Sequence, residues 1–460
     1  MSPEVAINTS DQPRLRRTLT LWNLILYGVI VIQPVAPMSV YGVLSERGRG
    51  HVVTAILIAM VAMLFTGISY GRMARAYPSA GSAFTYVARE INPAVGYVTG
   101  WSMVMDYILN PLICTIWCAG QAYAFAPGIP IWAWKIFFAV VFTLLNIVGI
   151  KTSARVNTGM AIFMGAVVVV IFVAAARFIL GHPHTDPLYF SRPFYDPNTF
   201  SYGALFGCTS IAVLTYIGFD GISTLSEEAE NPRRNIMLAT VLTCVVIGIL
   251  SAIEVYIAQL IWPYGQPFSN VDTAYPEVMG RLWPALQVFG HTIAPLSVVV
   301  GWTLLLANFG SAMGAQLGAA RLLYGMGRSD ALPRKFFGAV DPKHHIPRNN
   351  VLFIGVIVLI GSFFLSYGLG AEMLNFGALI AFMGVNAAAI LHYYVRAEDK
   401  KLTFLIPPVL GFVICLALWV NLSRPAIIFG SIWMAVGIAF GIWKTNGFRK
   451  EMSFEIPAEE

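Results

Sequence analysis

Tyr216-Ile217-Gly218-Phe219-Asp220-Gly221 places one carboxylate between two glycines, well inside an apolar run long enough to cross a bilayer. Glycine weakens a helix by about 1 kcal/mol relative to alanine, and a charge at the bilayer centre costs at least about 2.5–3.5 kcal/mol. A chain that accepts both at one spot is building a polar site there. Asp220 is read in two compatible ways. It can bind an ammonium group or a proton, or it can cap the helix that follows by accepting backbone N–H bonds. Asp106 lies in a second apolar run, within Trp101-Ser102-Met103-Val104-Met105-Asp106-Tyr107, with Asn110 one turn on and on the same face. It is either a second ammonium anchor or a strut that holds its helix to a neighbour. Glu254 sits mid-run in Ala252-Ile253-Glu254-Val255-Tyr256. It either relays protons or, while neutral, hydrogen-bonds to an adjacent helix. Tyr27, Tyr41, Tyr107 and Tyr216 are candidates to box a cation through their ring faces.

The elements that must position these groups are membrane spans. Of the 460 residues, 57% are hydrophobic and 11% charged, and mean hydropathy is +0.70. A soluble domain carries about 25% charged residues. Apolar runs near 20 residues, the length that spans a bilayer, recur throughout. Twelve spans are expected, at 20–44, 51–74, 93–118, 129–150, 156–180, 200–228, 234–262, 287–325, 349–367, 371–394, 403–421 and 424–444. With both ends in the cytoplasm, most of the 29 Lys and Arg fall on the cytoplasmic side, as the asymmetry of basic residues requires. Arg47 and Arg49 depart from that pattern. The net charge of +6 reflects this placement and not a nucleic-acid partner. Residues 1–18 and 445–460 read as polar cytoplasmic tails, and Met1 to Arg17 lacks the apolar core of a cleaved signal.

The first span is interrupted at Gln33-Pro34-Val35-Ala36-Pro37, as the sixth is at Gly218 to Gly221, with an offset of roughly 185 residues. Interrupted helices at matching positions of two halves mark the binding site of a secondary transporter. Five spans separate the breaks, so the halves are inverted: repeat 1 over 19–181, repeat 2 over 200–396, and two added spans in 402–444. The alternative is a set of ordinary kinked packing helices.

Other polar residues read as structural. Cys114, Cys118, Cys208, Cys244 and Cys415 lie in apolar runs as small packing residues, with no metal-ligand spacing. Glu227, Glu228 and Glu230 form an ion-pair cluster with Arg233 and Arg234. His291 and His392 are interfacial, and Lys135 snorkels. Catalytic constellations are missing: no Gly-x-Ser-x-Gly, no His-Glu-x-x-His, no phosphate loop. The expectation is a non-enzyme without cofactors.

Phe219-Asp220 in Tyr-Ile-Gly-Phe-Asp-Gly, followed by Leu225-Ser226-Glu227-Glu228 and Asn231-Pro232-Arg233-Arg234, resembles the sixth-span signature of the amino acid/polyamine/organocation transporters. Tyr77-Pro78-Ser79-Ala80-Gly81-Ser82-Ala83-Phe84-Thr85-Tyr86 is similar to their segment after span 2, and Ala320 to Arg328 to their end of span 8. Ile68-Ser69-Tyr70-Gly71, Gly100-Trp101-Ser102, Asp106-Tyr107, Asn375-Phe376-Gly377-Ala378-Leu379 and Trp419-Val420-Asn421-Leu422 resemble bacterial putrescine importers. The resemblance implies an all-α fold of inverted five-helix repeats, alternating access, and uptake driven by an ion gradient across the inner or plasma membrane.

Two departures refine this expectation. Many amino-acid members have a glycine-rich break in span 1 whose N–H groups bind the substrate α-carboxylate. Here the break holds no glycine and two prolines, which lack N–H groups. An organic cation without a carboxylate, such as putrescine, fits better; an amino-acid permease or exchanger is the alternative, and a channel or receptor a distant one. Some proton-coupled relatives carry a lysine in span 5, whereas 161–166 is uncharged here. Ser311 is the only hydroxyl near the place in span 8 where sodium would bind. Protons are therefore expected, carried by Asp220 or Glu254. The expected substrate site comprises Asp220, Asp106, Tyr107, Tyr216, Gly218, Phe219, Gly221, Gln33 and Ser39.

Overall fold

A computed structural model describes residues 19–77, 82–148, 154–182, 186–225, 229–288, 291–328, 332–341 and 346–445. Glu227, Glu228 and both expected tails, save Thr445, lie outside them. The helices run α1 (Leu21–Ile32), α2 (Ala36–Arg47), α3 (Val52–Ala76), α4 (Ser82–Glu90), α5 (Pro93–Phe125), α6 (Ile131–Val148), α7 (Ala154–Gly181) and α8 (Tyr202–Ala212). They continue with α9 (Pro232–Ile261), α10 (Ala274–Met279), α11 (Pro295–Arg328), α12 (Arg334–Phe337), α13 (Arg348–Phe364), α14 (Tyr367–Ile390), α15 (Leu402–Val420) and α16 (Arg424–Lys444). Ten stretches are long and apolar enough to cross a membrane, and the pair α1 and α2, bent by 47°, makes up to eleven. The apolar α13 is shorter, at 17 residues.

Local chemistry explains several ends. Asn92 caps α5 by accepting the Val95 N–H at 2.9 Å, with Pro93 in the first turn, where no N–H is needed. Ser366 and Ser423 cap α14 and α16 in the same way. Span 8 starts later than the 287 expected: Leu286–Val288 and His291–Ile293 pair as a short antiparallel hairpin, and the helix begins at Pro295.

Both interruptions are present, with different shapes. α1 stops at Gln33 because Pro34 disfavours a helical residue before it and supplies no N–H. Gln33 takes φ +74°, a region that suits glycine. The sixth span ends its α-helix at Ala212, earlier than expected. It proceeds as one 3₁₀ turn, Val213–Tyr216, and after Gly218 as a second, Phe219–Leu225, in place of an α-helical second half. Gly218 holds φ +114°, and a β-carbon there would lie 3.0 Å from Val31 Cγ1. The two breaks therefore touch. Around them α3 lies along α9, and α11 and α14 lie along α5.

Candidate functional site

The contact between the breaks is where the expected carboxylates meet. Asp220 stands in the 3₁₀ turn after Gly218, half-buried, with the backbone N–H groups of Gly218, Asp220 and Gly221 close to its carboxylate. The Gly221 N–H itself bonds the Gly218 carbonyl at 3.1 Å. Asp106, from the middle of α5, lies within electrostatic reach of Asp220. Four phenols line the same space. Tyr107 senses both carboxylates and Tyr27; Tyr70 senses both and the hydroxyls of Tyr86 and Tyr107. Tyr27 Oη lies 3.9 Å from where a Gly221 β-carbon would stand, and the Tyr107 ring lies against Gly318 of α11. Phe219 is fully buried, its ring 5.4 Å from Tyr70 and 5.2 Å from Phe382. Elements α1, α3, α4, α5 and the second 3₁₀ turn thus bring two acids and four phenols together, with α11 against the Tyr107 ring. Two anions buried side by side repel, and a cation between them removes the repulsion. Ring faces add cation–π attraction.

Other expected site residues lie elsewhere or face other partners. The Tyr216 hydroxyl donates to the Ile56 carbonyl at 2.9 Å, which fixes the first 3₁₀ turn to α3. Tyr41 stacks edge-on with Tyr275 at 5.5 Å and Phe268 at 6.2 Å, away from the acids. Gln33 Nε2 donates to the Ala307 carbonyl of α11 at 2.9 Å, and Asn308 Nδ2 donates to Ser39 Oγ at 2.9 Å. The span-1 break is thus clamped to α11 by two neutral amides. Ser311 Oγ donates to Asn110 Oδ1 at 3.2 Å, so that hydroxyl is also engaged. At the break itself the N–H groups of Gln33, Ala36 and Met38 are bonded to backbone carbonyls.

Glu254 stands apart on α9. It is fully buried, and neither carboxyl oxygen makes a hydrogen bond among the described residues. The bond to an adjacent helix that a purely structural role requires is not made. Its nearest assigned partner is Tyr275, whose hydroxyl donates to the Glu254 backbone carbonyl at 3.3 Å.

Two groupings were invisible in the sequence. Tyr70 and Tyr86 entered only as parts of family-like segments; nothing in their spacing ties them to Asp106 or Asp220. Glu90 ends α4 almost wholly buried and draws donors from three directions. His392 Nδ1 lies 2.6 Å from Oε1, Arg396 Nη1 donates to Oε2 at 2.7 Å, and the Tyr77 hydroxyl also bonds Oε1. Burial first, and the bond to Glu90 second, push the Tyr77 phenol up to about 12. His392, expected to be merely interfacial, is part of this hub at the end of α14. Away from all of these, an apolar groove of about 490 Å³ between α3, α8 and α15 is lined by Leu57, Val61, Phe206 and Ile414 among others. It carries none of the chemistry above.

A polytopic helical protein whose two interrupted helices meet has the plan of a secondary transporter. The amino acid permease profile matches residues 30–448, and the chain belongs to that family. It is 34% identical over 454 residues, 98% of either chain, to the low-affinity putrescine importer PlaP of Escherichia coli. It is 26% identical to the branched-chain amino acid permease BcaP of Bacillus subtilis, over 94% of this chain and 93% of that one. It is 24% identical to the methylthioribose transporter of the same species, over 93% of both. The protein is a multi-pass membrane transporter, and not an enzyme.

Proposed function

We propose that the protein imports an organic cation of the putrescine type by proton symport with alternating access. The observation that carries this reading is the pair Asp106 and Asp220, half-buried within electrostatic reach of each other and beside the phenols of Tyr27, Tyr70, Tyr86 and Tyr107. Asp220 binds one ammonium and Asp106 the other end of the diamine, or organises α5 around it. Tyr107 and Phe219 wall the cation, with Tyr216 behind them. Gly218 and Gly221 give the backbone its turn, and Gln33 and Ser39 shape the opposite break. The likeness to a putrescine importer over nearly the whole chain supports the same substrate class.

Twelve spans follow if α13 is counted with the bent pair and the ten long stretches. Inverted repeats draw support from the packing. α3 lies on α9, α5 on α11, α6 on α13, and the first break on the second, so helices five spans apart meet in pairs. Both termini are assigned to the cytoplasm, and the protein to the inner or plasma membrane.

Proton coupling draws on two observations. Two oxygens that a sodium ion would use between α1, α2 and α11, Ala307 O and Ser39 Oγ, already accept from the amides of Gln33 and Asn308. Glu254 is a buried carboxyl with no bonded partner among the described residues. An isolated charge is costly to bury, which suits this group to take up a proton before it moves through the interior. Asp220 is the other candidate carrier.

The amino-acid reading is the second one, favoured by the family profile and the branched-chain permease likeness. It requires donors for an α-carboxylate. The span-1 break offers few, since Gln33, Ala36 and Met38 spend their N–H groups internally and Pro34 and Pro37 have none. Thermal stabilisation of the purified protein, screened over diamines, polyamines and amino acids, separates the readings, because bound ligand raises stability with concentration over Kd. Stabilisation by putrescine is expected. Stabilisation by neutral amino acids alone would sink the diamine reading.

A further inference from the structure

Two phenols in the wall of the carboxylate pair carry no role so far. Tyr70 of α3 and Tyr86 of α4 are both 0% exposed, and neither hydroxyl makes a hydrogen bond among the described residues. A buried hydroxyl left without a partner forfeits its hydration for nothing in return. Tyr86 Oη faces Ser223, but not at hydrogen-bonding geometry. Ser223 Oγ donates to the Asp220 carbonyl at 2.6 Å and lies 3.0 Å from Ser82 Oγ.

Packing holds both rings beside the sixth-span break. The Tyr70 ring stands edge-on to Phe219 at 5.4 Å, Phe382 at 6.0 Å and Tyr86 at 6.2 Å. Held so, its oxygen senses Asp220, Tyr86, Tyr107 and Asp106 together, and Tyr86 senses Asp220. The unused hydroxyls therefore belong to the space the acids share.

A primary ammonium carries three N–H donors. The three donors point tetrahedrally apart, so one carboxylate cannot face all of them at once, and phenol oxygens, which accept as well as donate, can take what remains. Resting on the organic-cation reading above, we propose that Tyr70 Oη, with Tyr86 Oη beside it, accepts N–H bonds from a terminal primary ammonium. The pair thereby makes the site prefer primary amines to N-methylated ones. Each methyl group removes a donor and adds bulk among rigid rings.

The test is labelled-putrescine uptake by the full chain in proteoliposomes, with unlabelled putrescine and N,N,N′,N′-tetramethylputrescine as competitors. For Tyr70→Phe, the putrescine concentration that halves uptake is expected to rise about tenfold, the worth of one bond to a charged group. The value for the tetramethyl compound should stay within about twofold, and Tyr86→Phe should contract the same ratio by a smaller factor. Equal changes for both competitors, or none, overturn the proposal. Successive N-methylation of one end of putrescine, tested on wild type, needs no variant. Stepwise loss of inhibition is expected, and a flat response overturns the proposal. Wild type that takes up no primary amine overturns the organic-cation reading and this inference with it. Wild type that prefers primary amines while both variants keep its ratio overturns this inference alone.

Discussion

At the break between α1 and α2, neutral amides close the gap: Gln33 reaches the Ala307 carbonyl and Asn308 reaches Ser39, each at 2.9 Å. At the break after α8 the polar group that stands beside the backbone N–H groups is itself an acid, Asp220, within electrostatic reach of a second acid, Asp106. Both breaks interrupt a helix inside the bilayer, yet they solve the resulting polar problem in opposite ways. The first is tied internally and serves as a fixed joint. The second keeps two acids in reach of each other, and on the proposed reading it is where a cationic solute gains most. An interruption alone therefore does not mark a binding surface; the formal charge of whatever fills it does.

The largest effect is expected at the second break. Asp220→Asn keeps the shape and removes the charge, and losing one partner of a buried charge pair costs about 2–5 kcal/mol. Uptake of labelled amine should fall by about 30-fold or more. Unchanged uptake in a variant with lower melting temperature would reduce Asp220 to a cap and erase the contrast. Next comes Glu254→Gln, which tests whether the driving ion enters apart from both breaks. Uphill accumulation should drop about tenfold in a pH gradient, while exchange of labelled for unlabelled substrate persists, since a neutral amide cannot carry the proton. Loss of both activities together would assign Glu254 to structure or substrate. Gly218→Ala probes the geometry alone: a left-handed residue facing Val31 costs about 1–3 kcal/mol, read as a lowered melting temperature with weakened uptake. A variant as stable as wild type would show that this turn needs no glycine. The smallest effect is expected at the first break. Gln33→Ala removes one neutral hydrogen bond, about 0.5–1.5 kcal/mol of stability, with apparent amine affinity changed less than about twofold. An affinity loss matching that of Asp220→Asn would make the two breaks equivalent.

The sequence was most legible where physical cost was local. Pro34 and Pro37 can only interrupt a helix, and Gly218 and Gly221 around a charge leave little else, so both breaks and the two acids could be named from the chain. The clamp of Gln33 and Asn308 could not, because a neutral amide has no preference among the many carbonyls of a membrane interior. Tyr70 and Tyr86 were hidden for a related reason. In a chain with 19 tyrosines, most rings serve packing or lipid contact, and only tertiary placement separates the few that face a charge. The 3₁₀ form of the sixth span was missed because Ile222, Thr224 and Leu225 read as helix by periodicity, whereas the turn at Gly218 sets a tighter winding.

The hub at Glu90 bears on the carrier's clock. One buried carboxylate gathers Tyr77 from the end of α3 and His392 and Arg396 from beyond α14. Any movement that draws α4 away from that corner breaks these bonds in one step, and stripping the partners from a buried ion costs about 3–5 kcal/mol. Since each ~1.4 kcal/mol of barrier slows a step tenfold, under the proposed alternating access this one side chain would be enough to set how long one face stays sealed. Turnover and recognition would then be tunable separately, the first at Glu90 and, on the same proposal, the second at Asp220.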